Sequence, residues 1–168
     1  MKKYIVLIVF LLCGCKREEC VVNKYPYEAN YKYSASIVYN YMDYYLKGKE
    51  LMKSINNSKG MLSISTINPD NTSNVSFFTM MMPNNSYAIA TFQNDNQTAI
   101  NLRYKPQAMI TYIEYRDDTN DYLNYVGARI IVDCLIYEDD ISAFETAYGI
   151  NVKENQYVFK ILEIRPLG

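Results

Sequence analysis

Few side chains in this sequence can carry reactive chemistry, and their positions divide them by task. The 168 residues include four cysteines and no histidine. Without imidazole, the chain lacks the usual general base, the Ser–His and Cys–His nucleophile pairs and the commonest metal ligand. Cys13 and Cys15 close an apolar N-terminal run, Cys20 follows in a charged stretch, and Cys134 sits inside a second apolar run. Two thiols without histidine do not make a usual structural zinc site. Cys20 and Cys134 are open to one disulfide in an oxidising compartment. The apolar neighbours of Cys134 favour a core position instead.

The chemistry assigned to Cys15 comes from what precedes it. Met1-Lys2-Lys3 is a short positive region, and Tyr4 to Leu12 is uncharged and apolar, the layout of a secretory signal. The run is shorter than the roughly 20 residues needed to span a hydrocarbon core. Leu12-Cys13-Gly14-Cys15 resembles the bacterial lipobox: an aliphatic residue, a tolerant position, a small residue, then cysteine. The resemblance implies that the Cys15 thiol accepts a diacylglycerol and that small Gly14 admits a peptidase. Residues 1–14 are therefore expected to be a lipoprotein signal peptide, and the mature protein to be lipid-anchored to the bacterial cell envelope. Stable attachment needs more than one acyl chain.

The remaining chain has the size and composition of one domain. The apolar fraction is 49%, which is globular rather than disordered. A formal net charge of −1 offers no electrostatic case for nucleic acid as a partner. Residues 15–33 are charged, Tyr-rich and irregular, and read as a tether. The domain is expected over 34–168.

The elements that position the candidate chemistry follow from periodicity. Residues 34–56 carry apolar side chains near a 3.6 spacing, with Gly48 dividing them into two helices. From Gly60 the texture becomes β. Met61–Ile67 alternates with period two and ends in the turn Asn68-Pro69-Asp70-Asn71. Asn74–Met82 is a second strand and Ser86–Phe92 a third, together a plausible antiparallel meander. Asp95–Tyr104 is a short helix capped by Asp95 or Asn96 and ended by Pro106. Gln107–Tyr115 is a fourth strand, and residues 116–121 form a polar loop. Residues 122–137 hold a fifth, with Gly127 a bulge or close-approach point. Ile141–Tyr148 is a helix closed by Gly149, and Tyr157–Arg165 is a sixth strand. Six strands with a helix between the third and fourth suggest a small closed barrel.

From about Lys49 to Gly168 the order of these pieces resembles the pyridoxamine 5′-phosphate oxidase-like, flavin-binding split-barrel family. Met61–Thr66 with Asn68-Pro69-Asp70-Asn71 is similar to the family's first strand and "xxPDG" turn, Asn71 replacing glycine. Asn74–Thr79 is similar to its second strand and Tyr87–Thr91 to its third, ending in the usual threonine. Ala99-Ile100-Asn101-Leu102 with Lys105-Pro106-Gln107-Ala108 is similar to its "xxNLxxNPxxx" segment. Val126-Gly127-Ala128 resembles "VxGxA" with one residue deleted, and Ile164–Gly168 a common terminal strand.

The resemblance implies a mainly β fold with flanking helices, a six-stranded split β-barrel. It also implies a homodimer with FMN in a groove at its interface. The cofactor-binding positions are then Ser76, Phe77, Phe78 and Thr79 on the second strand and Ala90 and Thr91 at the end of the third. Asn96, Gln97 and Thr98 stand where the family typically carries Ser-Arg-Lys for the phosphate. No catalytic residue and no metal ligand are assigned. The flavin would supply the hydride and electron chemistry itself, which suits a chain without histidine.

The departures are specific. Asn96, Gln97 and Thr98 are uncharged and Asp95 beside them is negative, so two charge-assisted bonds, worth roughly 1.5–3 kcal/mol each, are missing. The oxidase's C-terminal Arg and His pair has no match, so pyridoxamine phosphate oxidation is not expected. Haem-utilising relatives generally need a histidine. Export also weighs against a cofactor acquired inside the cell, because the signal has Lys2-Lys3 rather than a twin-arginine pair. Three readings stand: a flavin-dependent oxidoreductase with FMN, its substrate open; a cofactor-free split-barrel lipoprotein that binds a small molecule or an envelope partner; or an envelope structural module whose Tyr-rich helix meets a partner.

Overall fold

The structure is a computed structural model that describes residues 45–117 and 125–167. The expected signal, Cys15, the tether and the first of the two N-terminal helices lie outside the described residues, as does most of the polar loop. In chain order the elements are α1 (Gly48–Asn56), β1 (Gly60–Ile67), β2 (Ser73–Phe78), β3 (Met80–Met81), β4 (Tyr87–Thr91), α2 (Gln97–Tyr104), β5 (Gln107–Tyr115), β6 (Tyr125–Cys134), α3 (Glu138–Tyr148) and β7 (Gln156–Arg165).

The strands form one antiparallel sheet in the order β2-β1-β5-β6-β7-β4-β3. The run expected as a single second strand, Asn74–Met82, is broken at Thr79. Its first part pairs with β1 at one edge of the sheet, and its second part pairs with β4 at the other. One residue joins the two edges, so the sheet must curl until they meet. The six expected strand runs thus become seven strands, and the fold is the split barrel. The meander is present, but its two hairpins lie at opposite ends of the sheet.

Alternation explains which face each strand buries. Leu62, Ile64 and Thr66 of β1, Ala108, Ile110 and Tyr112 of β5, and Ala128, Ile130, Val132 and Cys134 of β6 all point inward. Phe159 of β7 lies in register between Ala88 and Cys134, a large ring between two small side chains. A smaller cluster lies outside β4 and β7, where Phe144 of α3 packs on Ile89 and Val158. Ile89 and Val158 are covered on this outer side while Ala88, Ala90 and Phe159 face the barrel, so both faces are covered at Ala88–Ala90 of β4 and at Val158–Phe159 of β7.

The helix boundaries have local causes. The Asn96 side chain accepts the Ala99 N–H at 2.8 Å and caps α2. Gly149, at φ +64, ends α3 and donates to the Glu145 carbonyl. Asn71, in place of glycine in the first turn, sits at φ +66, a left-handed conformation that asparagine tolerates. Gly127 is a close-approach point rather than a bulge: a Cβ there would lie 2.0 Å from the Tyr112 carbonyl oxygen. The register shift falls instead at Ile131/Val132 against β7.

Helix α1 is fastened to the barrel at two places. Both amide atoms of Asn56 bond the Met82 backbone, at 2.9 and 2.7 Å. At the other, the buried Ser54 hydroxyl meets the Tyr112 hydroxyl at 2.6 Å and donates to Glu114. Arg116 bonds Glu114 at 3.0 Å and reaches Glu50 of α1 at 3.2 Å. Burial pushes the Glu114 carboxyl up, but the Ser54 hydroxyl and the Arg116 guanidinium outweigh it and hold it below the usual carboxylate range.

Two measurements check this account. Gly127→Ala is expected to destabilise the fold by about 3 kcal/mol, because the clash is with backbone and no rotamer relieves it; denaturant midpoints will show it. The second concerns pH. A depressed folded value means that the Glu114 contribution is present above the unfolded carboxyl value, about 4.3, and is lost as pH falls through the folded value. The stability gap between wild type and Glu114→Gln should therefore be flat above that pH and close below it. A gap that persists at low pH contradicts the assignment.

Candidate functional site

Two features take in most of the expected site residues. The first is a network of hydroxyls and amides between β1, β2 and α2. The parity that turns Leu62 and Ile64 inward also turns Thr66 inward, and Asn74 and Ser76 follow it on β2. Thr98, in the first turn of α2, is 1% exposed. Its hydroxyl meets Ser76 Oγ at 2.7 Å and accepts from Asn74 Nδ2 at 3.1 Å. Asn74 also donates to Thr66 Oγ1, at 3.1 Å. Asn101, fully buried, donates to Thr66 at 3.0 Å and Asn68 at 2.7 Å, and accepts from Gln97 at 2.8 Å. Each buried polar group is answered by another, as burial requires.

The second feature is an open cleft of about 520 Å³ beside the strand break. Thr79, Met80 and Met81 line it from the break and β3, and Ile89 and Thr91 from β4, with Met81 opposite Ile89 in register. Asn56 and Ser58, from the end of α1, and Gln156 of β7 complete its described lining. None of these eight residues is ionisable. Ser58, at φ +52, turns the chain out of α1 at the rim.

The structure thus separates the expected positions. Thr79 and Thr91 share the cleft. Ser76, Gln97 and Thr98 share the network, and Asn96 caps the helix above it. Ala90 is buried in the barrel, and Phe78 points inward against Phe92, ring centres 5.4 Å apart. Phe77 points the other way and is 73% exposed. Sequence reasoning missed Thr66, Asn74 and Asn101 in the network, and Asn56, Ser58 and Gln156 in the cleft. Polar residues at inward parity, Thr66 above all, were a readable signal for the network. Nothing local marked these cleft residues, which come from the end of α1 and from β7, far apart in the chain.

A phosphate dianion does not fit what is here. The Thr98 hydroxyl is used inside the fold, the Asn96 oxygen is used by the helix, and Gln97 donates to Asn101. The two cations in and just after α2 are held elsewhere, Arg103 on the Asn94 carbonyl at 2.9 Å and Lys105 on Asn71 at 2.8 Å. Among the described residues, no cluster of three or more His, Cys, Asp or Glu could hold a metal. Cys134 is free and buried; burial first, then the charge of Asp133, pushes its thiol up to about 12, so it is a core residue rather than a nucleophile.

No protein-family model matches this sequence, and no curated protein matches it. Solved structures do. The HupZ protein of Group A Streptococcus, solved as a point variant, is 18% identical, with a TM-score of 0.52 over 73% of this chain and 100% of that one. An FMN-binding protein from Syntrophomonas wolfei is 20% identical, with a TM-score of 0.48 over 71% and 85%. A candidate pyridoxamine 5′-phosphate oxidase from Lactobacillus delbrueckii is 14% identical, with a TM-score of 0.45 over 71% and 98%. At such identities the likeness is one of fold, and of these three the HupZ comparison carries it.

If the network holds the fold, Thr98→Val should cost about 2 kcal/mol by removing the hydroxyl that both Asn74 and Ser76 bond, while Thr98→Ser should cost much less. Equal losses in urea melts would indicate that methyl packing, not the hydroxyl, matters at this position.

Proposed function

We propose that this chain is an exported, lipid-anchored split-barrel protein that binds a flavin-type ring and serves in oxidation–reduction at the cell envelope. The observation that carries the reading is the cleft beside the strand break. It gathers Thr79 and Thr91, two positions that the family resemblance assigns to the cofactor, from strands that lie apart in sequence. Strand β2 supports it further, being an edge strand whose outer side has no strand partner among the described residues.

A second copy completes the proposal. Val75 and Phe77 of β2 and Met61 of β1 are exposed on the outer face of the sheet, and pairing in register keeps them on one side. Such a face is an unfavourable one to leave in water. A monomeric mass by sedimentation would remove the second copy. Anchoring rests on Leu12-Cys13-Gly14-Cys15. Among the described residues no helix is long and apolar enough to cross a membrane.

A second reading is a cofactor-free lipoprotein that binds a small molecule or an envelope partner. The self-satisfied network around Thr98 favours it, because the side chains expected to hold a phosphate are committed to the fold.

Two experiments test these statements. The purified protein, equilibrated with excess flavin and then desalted, should retain near-stoichiometric flavin absorption; a colourless protein selects the second reading. Cells fed a labelled fatty acid should label the wild type and not Cys15→Ser, and label on both would place the lipid elsewhere.

A further inference from the structure

We infer that the cleft beside Thr79 takes an uncharged ring ligand, a flavin lacking its phosphate, in preference to the phosphorylated form. The inference rests on the flavin reading and specifies its chemical class.

The argument starts with charge. The described lining of the cleft contains no lysine, arginine, aspartate or glutamate. Its apolar lining is thioether and aliphatic, from Met80, Met81 and Ile89. Its polar lining is hydroxyl and amide, from Asn56, Ser58, Thr79, Thr91 and Gln156. Neutral donors and acceptors beside apolar side chains suit a heteroaromatic ring with carbonyl and N–H edges. A volume of about 520 Å³ lies in the range of small-molecule sites, roughly 300–1,000 Å³.

The second observation is independent and concerns the phosphate. Only Phe77 and Phe78 separate Ser76, in the network, from Thr79, in the cleft, a path of roughly 10 Å along a strand. A charged tail leaving the cleft toward α2 would meet donors already used. Thr98 Oγ1 is bonded to Ser76 and Asn74. Asn96 Oδ1 holds the Ala99 N–H, and Gln97 is bonded to Asn101. Asp95 adds a negative charge beside them. Arg103 and Lys105 belong to the far end of the helix and are tied to Asn94 and Asn71. A dianion here would lose hydration without gaining a charge-assisted bond.

The test uses the full-length protein in detergent. Riboflavin and FMN are titrated separately, and binding is read from quenching of flavin fluorescence. Riboflavin is expected to bind at least about ten-fold more tightly. FMN binding as tightly or more tightly overturns the inference and leaves the flavin reading intact. Binding of neither overturns both. A second variant locates the site. Thr91→Lys places a cation on the exposed rim without disturbing the core, and should shift the preference toward FMN by ten-fold or more. An unchanged ratio in that variant shows that the ligand lies outside this cleft.

Discussion

One residue, Thr79, ties the two edges of the sheet together. Because β2 and β3 are consecutive in the chain yet terminal in the sheet, the seven strands cannot lie flat. The break lets a single run change partners from β1 to β4, and the curl of the sheet into a split barrel follows from that exchange. It also removes part of the edge-strand liability of an open sheet. The cleft is a consequence of the same break, since strands meeting at a corner cannot fill the space between them as they do when paired. Asn56, bonded at both amide atoms to the Met82 backbone, holds α1 against the short strand that the break creates.

Inside the curled sheet, stiffness comes from close backbone approach and from a polar lock. Gly60 and Gly127 flank β5 from both sides, and a side chain at either would strike its carbonyl oxygens. The same strand supplies Tyr112 and Glu114 to α1. Glu114 is 4% exposed, so its charge is tolerable only because Ser54 and Arg116 answer it. The lock and the glycines therefore act on one strand, and α1 is docked where the barrel yields least.

The hydroxyl–amide network shows how the same residues can serve fold or ligand but not both. Thr98, Asn96 and Gln97 occupy the helix start where the sequence resemblance leads one to expect charged side chains. Here they satisfy Ser76, Ala99 and Asn101. A helix start rich in neutral donors is weak ground for a dianion once those donors are spent inward. The neutral cleft and the spent network come from different elements, yet both point away from charge.

Much of the fold was legible in the residues. Alternation in Met61–Ile67 and Gln107–Tyr115 marked the buried faces, because period two reports facing directly. Asn96 and Gly149 marked helix ends through capping chemistry, and Asn71 marked a turn that needs a left-handed residue. The absence of histidine excluded whole classes of catalysis by composition alone. The break at Thr79 was not legible, since Asn74–Met82 reads as one apolar strand and alternation is silent on which neighbour a strand pairs with. Nor was the fate of Thr98, whose partners lie 22 and 24 residues away. Composition and local pattern determined the elements, their faces and the chemistry that is missing. Tertiary structure alone decided which edge each half-strand joins and which hydroxyls remain for a ligand, because both depend on contacts between segments far apart in the chain.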